Sequence, residues 1–292
     1  MRLVLLYNPA AGKGRAHRHI AEAVTYLQGR GAEVELYPSR SREHLIELGG
    51  RAADMGADRV VACGGDGTVN MVIRNLDLGR STFGVLPLGS GDDFAHTMGI
   101  PTRLEAACET LLGGRIREID VALANDVRYV CVAGFGFDAD VNRHANESRS
   151  RLRGTPLYLY SIFRVLQKFE PRRIRFQENG QPSDVDIMFA VVGNSPRYGA
   201  GIRIAPTAVP DDGLLDLCLV RKCRTIDLLT TLPLAYSGKH VRRPFVVTRR
   251  ATEFHFGTAT PMDVYADGEL VTTTPLTVRL APETLRVVVP AA

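Results

Sequence analysis

A chain of 292 residues with 45% hydrophobic content can bury a substantial core, and its length favours two domains over one. The formal net charge of +4 comes without an aromatic-interleaved basic stretch or a recognition-helix pattern, so no nucleic-acid partner is expected. No run approaches the roughly 18 apolar residues that cross a bilayer, and the apolar opening from Leu3 to Tyr7 is too short for a signal peptide. The expectation is a cytoplasmic protein whose membrane contact is peripheral.

In chain order, RLVLLY is an apolar run of strand length, followed by the glycine turn NPAAGKG and the helical segment RAHRHIAEAVTYLQG. AEVELY, DRVVAC and TFGVLPL read as strands, and REHLIELGGRAADMG, TVNMVIRNL and RLEAACETLLGG as helices. Strands alternating with helices predict a parallel sheet covered on both faces, with ligands at the carboxyl ends of the strands. After about residue 118 the texture changes. REIDVALA, VRYVCVAGF, the hairpin RRIRFQENGQPSDVDIMFAVV, LLDLCLV and TVRLA read as strands, with helices near PLYLYSIFRVLQKF and TIDLLTTLPLAYSG. The fold class expected is an α/β domain over 1–118 followed by a β-rich antiparallel domain over 119–283, a sandwich or flattened barrel. The final TLRVVVP fits either domain, with 284–292 completing the first in one case.

The charge is unevenly spread: residues 1–118 carry 14 basic and 14 acidic side chains, and residues 119–292 carry 22 and 18. Two stretches concentrate the excess, with nine basic against two acidic over 141–175 and eight against one over 221–250. Arg149, Arg151, Arg153, Arg172, Arg173, Arg242 and Arg243 belong to them, and such clusters suit anionic lipid headgroups. The five cysteines are odd in number and form no C-x-x-C pair, which reads as reduced, mostly buried thiols. The histidines show no metal-ligand spacing, His17 and His19 facing different sides of a helix.

Three glycine-rich segments differ in weight. NPAAGKG lacks the spacing of a Walker A loop, and GFGFDA at 134–139 fits a dinucleotide fingerprint without the acidic residue expected about 20 positions on, so it reads as a tight turn. GGDGT at 64–68 is different. Its glycines admit a phosphate close to the backbone, the following helix offers a positive N-terminal dipole, and Asp66 can face a metal ion or a hydroxyl.

NPAAG at 8–12, GGDGTVN at 64–70, PLGSGDDFA at 87–95, DGLLD at 212–216 and DGE at 267–269 occur in an order that resembles the diacylglycerol kinase catalytic family, specifically its bacterial soluble lipid kinases. Sphingosine and ceramide kinases share this module. The resemblance implies an α/β domain like that of NAD kinases and phosphofructokinases, with the β-rich domain closing the other side of a cleft. It also implies an ATP-dependent, Mg2+-using kinase that phosphorylates a lipid hydroxyl at the inner face of the membrane, diacylglycerol giving phosphatidic acid in the leading case. A homodimer is compatible with it. The nucleotide set it implies is Asn8, Pro9, Ala10, Ala11, Gly12, Gly64, Gly65, Asp66, Gly67, Thr68, Val69, Asn70 and Ser90, with Ser39 or Ser41 in a position usually held by threonine. Where the family has Thr-x-Asn-Asp, this chain has Ser90-Gly91-Asp92-Asp93, so a charge replaces an amide at 92. Asp66, Asp120, Asp212, Asp267 and Glu269 match the family's acidic positions. Asp267 or Glu269 is implied as general base, with Asp267 favoured, and Asp212 as a ligand of structural magnesium together with carbonyls near Val209 and Leu214, Asp120 being a further metal candidate. The competing readings are an NAD kinase-like enzyme or sugar kinase, which GGDG alone would support, and a non-catalytic lipid-binding regulator.

Overall fold

A computed structural model describes residues 1–9, 15–148, 152, 155–178, 181–199 and 201–291. The chain divides into two compact units, Met1–Val121 with Pro282–Ala292, and Ala122–Ala281. The first unit runs β1 (Arg2–Tyr7), α1 (Arg15–Gly29), β2 (Glu33–Pro38), α2 (Arg42–Arg51), β3 (Arg59–Gly64), α3 (Asp66–Asn75), β4 (Thr82–Pro87), α4 (Asp93–Thr97), α5 (Leu104–Gly113) and β5 (Arg115–Ile119). The second runs β6 (Ala122–Ala124), β7 (Val127–Tyr129), β8 (Val132–Gly136), α6 (Phe137–Glu147), α7 (Thr155–Leu166), β9 (Arg172–Glu178) and β10 (Gln181–Gly193). It continues with β11 (Leu215–Arg221), α8 (Thr225–Tyr236), β12 (Val246–Ala251), β13 (Glu253–Thr258), β14 (Asp263–Ala266), β15 (Glu269–Thr273) and β16 (Leu276–Leu280). A last strand, β17 (Leu285–Val289), returns to the first unit.

The first sheet has the order β2-β1-β3-β4-β17-β5, parallel except for the antiparallel β17–β5 pair. Its inner strands β1, β3 and β4 are continuous apolar runs because both faces are covered, while the edge strands β2 and β5 carry charged residues. Leu3, Leu5 and Tyr7 of β1 pack with Ile20, Ala23 and Leu27 of α1 and with Ala107, Cys108 and Leu111 of α5, while Val4 and Leu6, on the opposite face, are fully buried too. The chain leaves β1 towards β2 on one side and resumes at β3 on the other. This reversal opens a crevice beyond the carboxyl ends of β1 and β3, where open α/β sheets hold their ligands.

The second unit is antiparallel and β-rich, as its turn-punctuated strands imply. The long strand β10 pairs with β9 over residues 181–187, then with β8 and β11 over residues 189–193, and an irregularity between Ile187 and Phe189 marks the change of neighbours. Such a bulge bends a strand and lets it serve two layers. Phe135, Phe176, Phe254 and Phe256 meet in the core, with Phe135 and Phe256 edge to face at 5.0 Å and Phe176 stacked on Phe256 at 5.5 Å.

Local reading departs from the structure in several places, VRYVCVAGF among them, which divides into β7 and β8. REIDVALA is not one strand: β5 and β6 flank Asp120-Val121 and belong to different sheets. GFGFDA does turn sharply, at Gly136 with φ 90°, but the turn opens the helix α6. The charged stretch from 246 to 273 forms β12 to β15. All five cysteines are free, four of them buried and Cys223 half-buried.

Gly49, inside α2, lies against α3: a Cβ there would stand 2.3 Å from the Val72 carbonyl oxygen. Alanine ordinarily favours a helix over glycine by about 1 kcal/mol, whereas forcing a methyl into a closed backbone contact costs about 1–3 kcal/mol. Gly49→Ala should therefore lower the thermal midpoint despite the gain in helix propensity. A raised midpoint in a melting experiment would refute the close packing of α2 on α3.

Candidate active site

The carboxyl ends of β1 and β3 lie side by side, Tyr7 opposite Cys63. Asn8 and Pro9 follow β1 and are half-buried, while Ala10, Ala11 and Gly12 lie outside the described residues. Ser39, just past β2 and buried, donates its N–H to the Tyr7 carbonyl at 2.8 Å, which sets it beside the Asn8 turn. Ser41 is committed elsewhere, capping α2 by accepting the His44 N–H at 3.1 Å. Of the two serines, Ser39 is the one the backbone brings to the crevice.

Beyond β3 the chain passes through Gly64 and Gly65 into α3, with Gly65 as N-cap. Both glycines have steric reasons. A Cβ on Gly64 would stand 2.2 Å from Thr68 Oγ1, and a Cβ on Gly89, after β4, would stand 2.6 Å from the Gly65 Cα. The two turns thus touch backbone to backbone beside the N-terminus of α3, a setting in which a phosphate can approach the main chain closely. Asp66, the first helical residue, accepts the Phe94 N–H at 3.0 Å and ties this turn to α4. The remaining members of the set divide by exposure. Gly65, Asp66 and Gly67 are half-buried and Ser90 is exposed on the β4–α4 loop, whereas Gly64, Thr68, Val69 and Asn70 are buried. Asn70 accepts from the Arg74 Nε at 2.9 Å, one turn along its own helix.

Asp92 contributes a feature that matching it to the family asparagine left undetermined. It adopts a left-handed backbone with φ 50°, is 7% exposed, and accepts the Gly89 N–H at 3.0 Å through Oδ1. Burial first, and the nearby Asp66 carboxylate second, push its carboxyl up to about 6. Only the acceptor oxygen is used in this contact, so an asparagine would serve the same geometry without the charge.

In the second unit Asp267 occupies the tight turn between β14 and β15, with φ 50°. Its Oδ1 accepts the N–H groups of Cys131 and Val132, both at 3.0 Å, and its Oδ2 that of Val130 at 3.1 Å. Its own N–H donates to the Val132 carbonyl at 3.0 Å. The residue is 9% exposed, and main-chain amides fix the direction of its carboxylate. Glu269, the first residue of β15, is half-buried.

Among the residues matched to a structural magnesium, the Asp212 carboxylate already has partners within the chain. Asp212 gives Oδ1 to the Leu214 N–H at 3.1 Å, and its Oδ2 to the guanidinium of Arg250. Val209 is an exposed side chain of the preceding loop, and Asp120, half-buried, follows β5 in the first unit. Among the described residues no group of three or more histidine, cysteine or acidic side chains could hold a metal ion.

The second unit also contains a narrow apolar cleft walled by α6, α7 and α8, with Val141, Ile162, Leu166, Leu228, Leu232 and Phe189 among its lining. Its main polar feature is the buried Asp138, which accepts from the Tyr198 hydroxyl at 2.6 Å. The sequence held a faint sign of it, an acidic residue in the first helical turn after Gly136.

Comparison with known proteins matches residues 2–124 to the diacylglycerol kinase catalytic domain and residues 131–289 to the YegS C-terminal NAD kinase beta sandwich-like domain. A diacylglycerol kinase of Mycobacterium tuberculosis is 30% identical over 296 residues, covering 99% of this chain and 95% of that protein. One of Bacillus subtilis is 25% identical over 271 residues, covering 92% of this chain and 89% of the relative. A crystal structure of a diacylglycerol kinase from Bacillus anthracis shares the fold with a TM-score of 0.79, at 22% identity and over 99% of this chain and 96% of that one.

The raised carboxyl of Asp92 has a measurable sign. The folded state holds this proton more tightly than the unfolded chain, whose aspartate titrates near 4, so stability falls as pH rises from about 4 to about 6 and stays lower above. Asp92→Asn removes the titration, and the variant should be more stable than the parent at pH 7.5, by at most about 3 kcal/mol, with the difference closing at pH 4. Denaturant unfolding at the two pH values checks this, and an equal difference at both would refute the assignment.

Proposed function

The chain belongs to the diacylglycerol kinase catalytic family, a lipid kinase family whose members transfer a phosphoryl group to an alcohol, and from that premise we propose that it transfers the γ-phosphate of ATP to the free hydroxyl of diacylglycerol. The observation that carries the reading is the close glycine contact of Gly65 with Gly89 beside Asp66, at the carboxyl ends of β3 and β4 and next to the crevice beyond β1 and β3. Curated relatives named diacylglycerol kinase match along nearly the whole chain, which favours this over a sugar kinase or a non-catalytic binder.

In the proposed reaction the lipid hydroxyl oxygen attacks the γ-phosphorus, the bond to the β–γ bridging oxygen breaks, ADP departs, and the hydroxyl proton passes to a carboxylate. Phosphoryl transfer runs through a loose transition state and asks the protein for positioning and charge compensation more than for a strong base. The N-terminal N–H groups of α3 and the Gly65 turn, with Asn8 and Ser39 beside them, would receive the phosphates, and Asp66 would orient the transferring group. Asp267 is the proposed proton acceptor. Three backbone amides hold and aim its carboxylate, which would accept the proton of the attacking hydroxyl. Glu269, one residue past Gly268, would complete the acidic set. ATP is presented with magnesium, as nucleotide kinases require, and no protein ligand for it is assigned.

The apolar cleft would take acyl chain, since such pockets are lined by apolar side chains with few polar groups. Its helices also carry outward apolar residues: Phe163 of α7 and Ile226 of α8 are each 56% exposed. Arg164, which follows Phe163, and Lys168 line a cavity together with Arg172 and Arg173. A bilayer surface with anionic lipid fits this mixture of apolar and basic groups. Much of the remaining charge is compensated locally: Arg172 bonds to Asp140 at 3.3 Å, and Arg173 and Arg175 both pair with Asp184. Arg149, Arg151 and Arg153 lie outside the described residues, and Arg242 is exposed while Arg243 is half-buried.

Labelled ATP incubated with an extracted lipid mixture should yield one product with the mass of phosphatidic acid. Asp66→Asn should lower kcat by orders of magnitude in a folded protein. Asp267→Asn should lower it by about 10²- to 10⁴-fold, more than Glu269→Gln, and should also reduce the melting midpoint because an amide nitrogen would then face backbone N–H groups. A folded Asp267→Asn protein with near-normal turnover would place the proton acceptor elsewhere. No lipid product with the native enzyme would overturn the substrate class.

The membrane reading is tested apart from chemistry. Replacing Phe163 with Ser and both Arg164 and Lys168 with Gln should weaken sedimentation with anionic vesicles by on the order of tenfold or more, while turnover of a short-chain soluble diacylglycerol is maintained. Unchanged vesicle binding would sink it.

A further inference from the structure

The loop that carries Asp212 already holds a cation of its own. Asp216 on β11 stands opposite Arg250 on β12 in the antiparallel register. It is 3% exposed, its Oδ1 takes the Thr207 hydroxyl, and its Oδ2 takes the Arg250 Nε at 3.1 Å. The same guanidinium donates through a second nitrogen to Oδ2 of Asp212, and the other oxygen of Asp212 receives the Leu214 N–H. One planar fork thereby clasps two carboxylates from the two ends of a short segment, 212–216, and fixes that segment to β12.

A magnesium ion bound through Asp212 would have to share its carboxylate with the Arg250 guanidinium, and two cations on one carboxylate repel each other. Displacing Arg250 would also take from the buried Asp216 the cation it is bonded to, and a buried carboxylate that loses its charge partner is unfavourable. Magnesium adds its own demand for near-octahedral oxygen geometry and gives up water reluctantly. Arginine, permanently charged and preorganised for paired carboxylate oxygens, meets neither difficulty. We propose that the Arg250 guanidinium takes the place of a structural divalent cation at the 207–216 segment, so that this part of the second unit is ordered without metal. The proposal concerns this loop alone and is independent of the phosphoryl-transfer reading.

The test uses full-length protein, freed of metal by chelation, with neither nucleotide nor lipid present, so its result stands whether or not kinase activity is found. Thermal midpoints are measured in EDTA and in millimolar Mg2+ for the native chain, for Asp212→Asn, and for Arg250→Ala and Arg250→Lys. The quantity read is the part of the Mg2+ response that Asp212→Asn removes. It should be absent in the native chain and should appear in Arg250→Ala, where Asp212 and Asp216 lose their cation. Arg250→Lys, which keeps the charge without the fork, should melt between native and alanine variants and respond weakly. A native Mg2+ response abolished by Asp212→Asn would overturn the proposal. So would an Arg250→Ala protein that folds, melts lower and gains no response to Mg2+. If Arg250→Ala does not fold, the native and Arg250→Lys measurements decide by the same criterion.

Discussion

The contact on which the first unit's site depends is the approach of Gly65 to Gly89, two backbone turns at the ends of adjacent parallel strands with no side chain between them. Any other residue at either position would push β3 and β4 apart at their carboxyl ends or shut the space beside α3. Once the turns touch, the rest is constrained. Asp66 meets the first N–H groups of α4, Asp92 must turn left-handed to reach Gly89, and two carboxylates are brought near one another in a half-buried place. Below about pH 6 Asp92 holds its proton and the repulsion is relieved, whereas above that the fold carries its cost.

The second unit solves a comparable problem by another route. Its candidate catalytic carboxylate, Asp267, is oriented by the consecutive amides of Val130, Cys131 and Val132, and the reciprocal bond from its own N–H to Val132 closes the arrangement. Main-chain donors cannot rotate away or be substituted singly, so a carboxylate held by three of them keeps its direction whatever happens to neighbouring side chains. A serine or asparagine partner would offer no such permanence.

Much of this was legible in the sequence and some of it was not, for reasons that differ by residue. The strands β1, β3 and β4 declare themselves because parallel strands buried on both faces are unbroken apolar runs. GGDGT stands out because a strand-end turn does not need an acid among its glycines. The Asp267 turn is readable too, from Asp-Gly between strand-like segments, but its three amide donors lie more than 130 residues earlier, and no local pattern records them. Arg250 is similar: a cross-strand ion pair depends on register, which spacing along the chain does not carry. β12 and β13 escaped notice because their solvent-facing charges mask the alternation, and α6 because a glycine pair that looks like a turn also starts a helix. The break between β5 and β6 is a matter of which sheet each joins, and local propensity is blind to that.

The strand β17 sits between β4 and β5, and β5 reaches the first sheet through it alone. Residues 285–289 are made after the whole of the second unit, so on the ribosome the first unit waits with β4 unpaired on one side and β5 unattached until these five residues appear. The second unit is therefore an insertion within the first, and the first sheet is completed only by a strand that follows it in the chain.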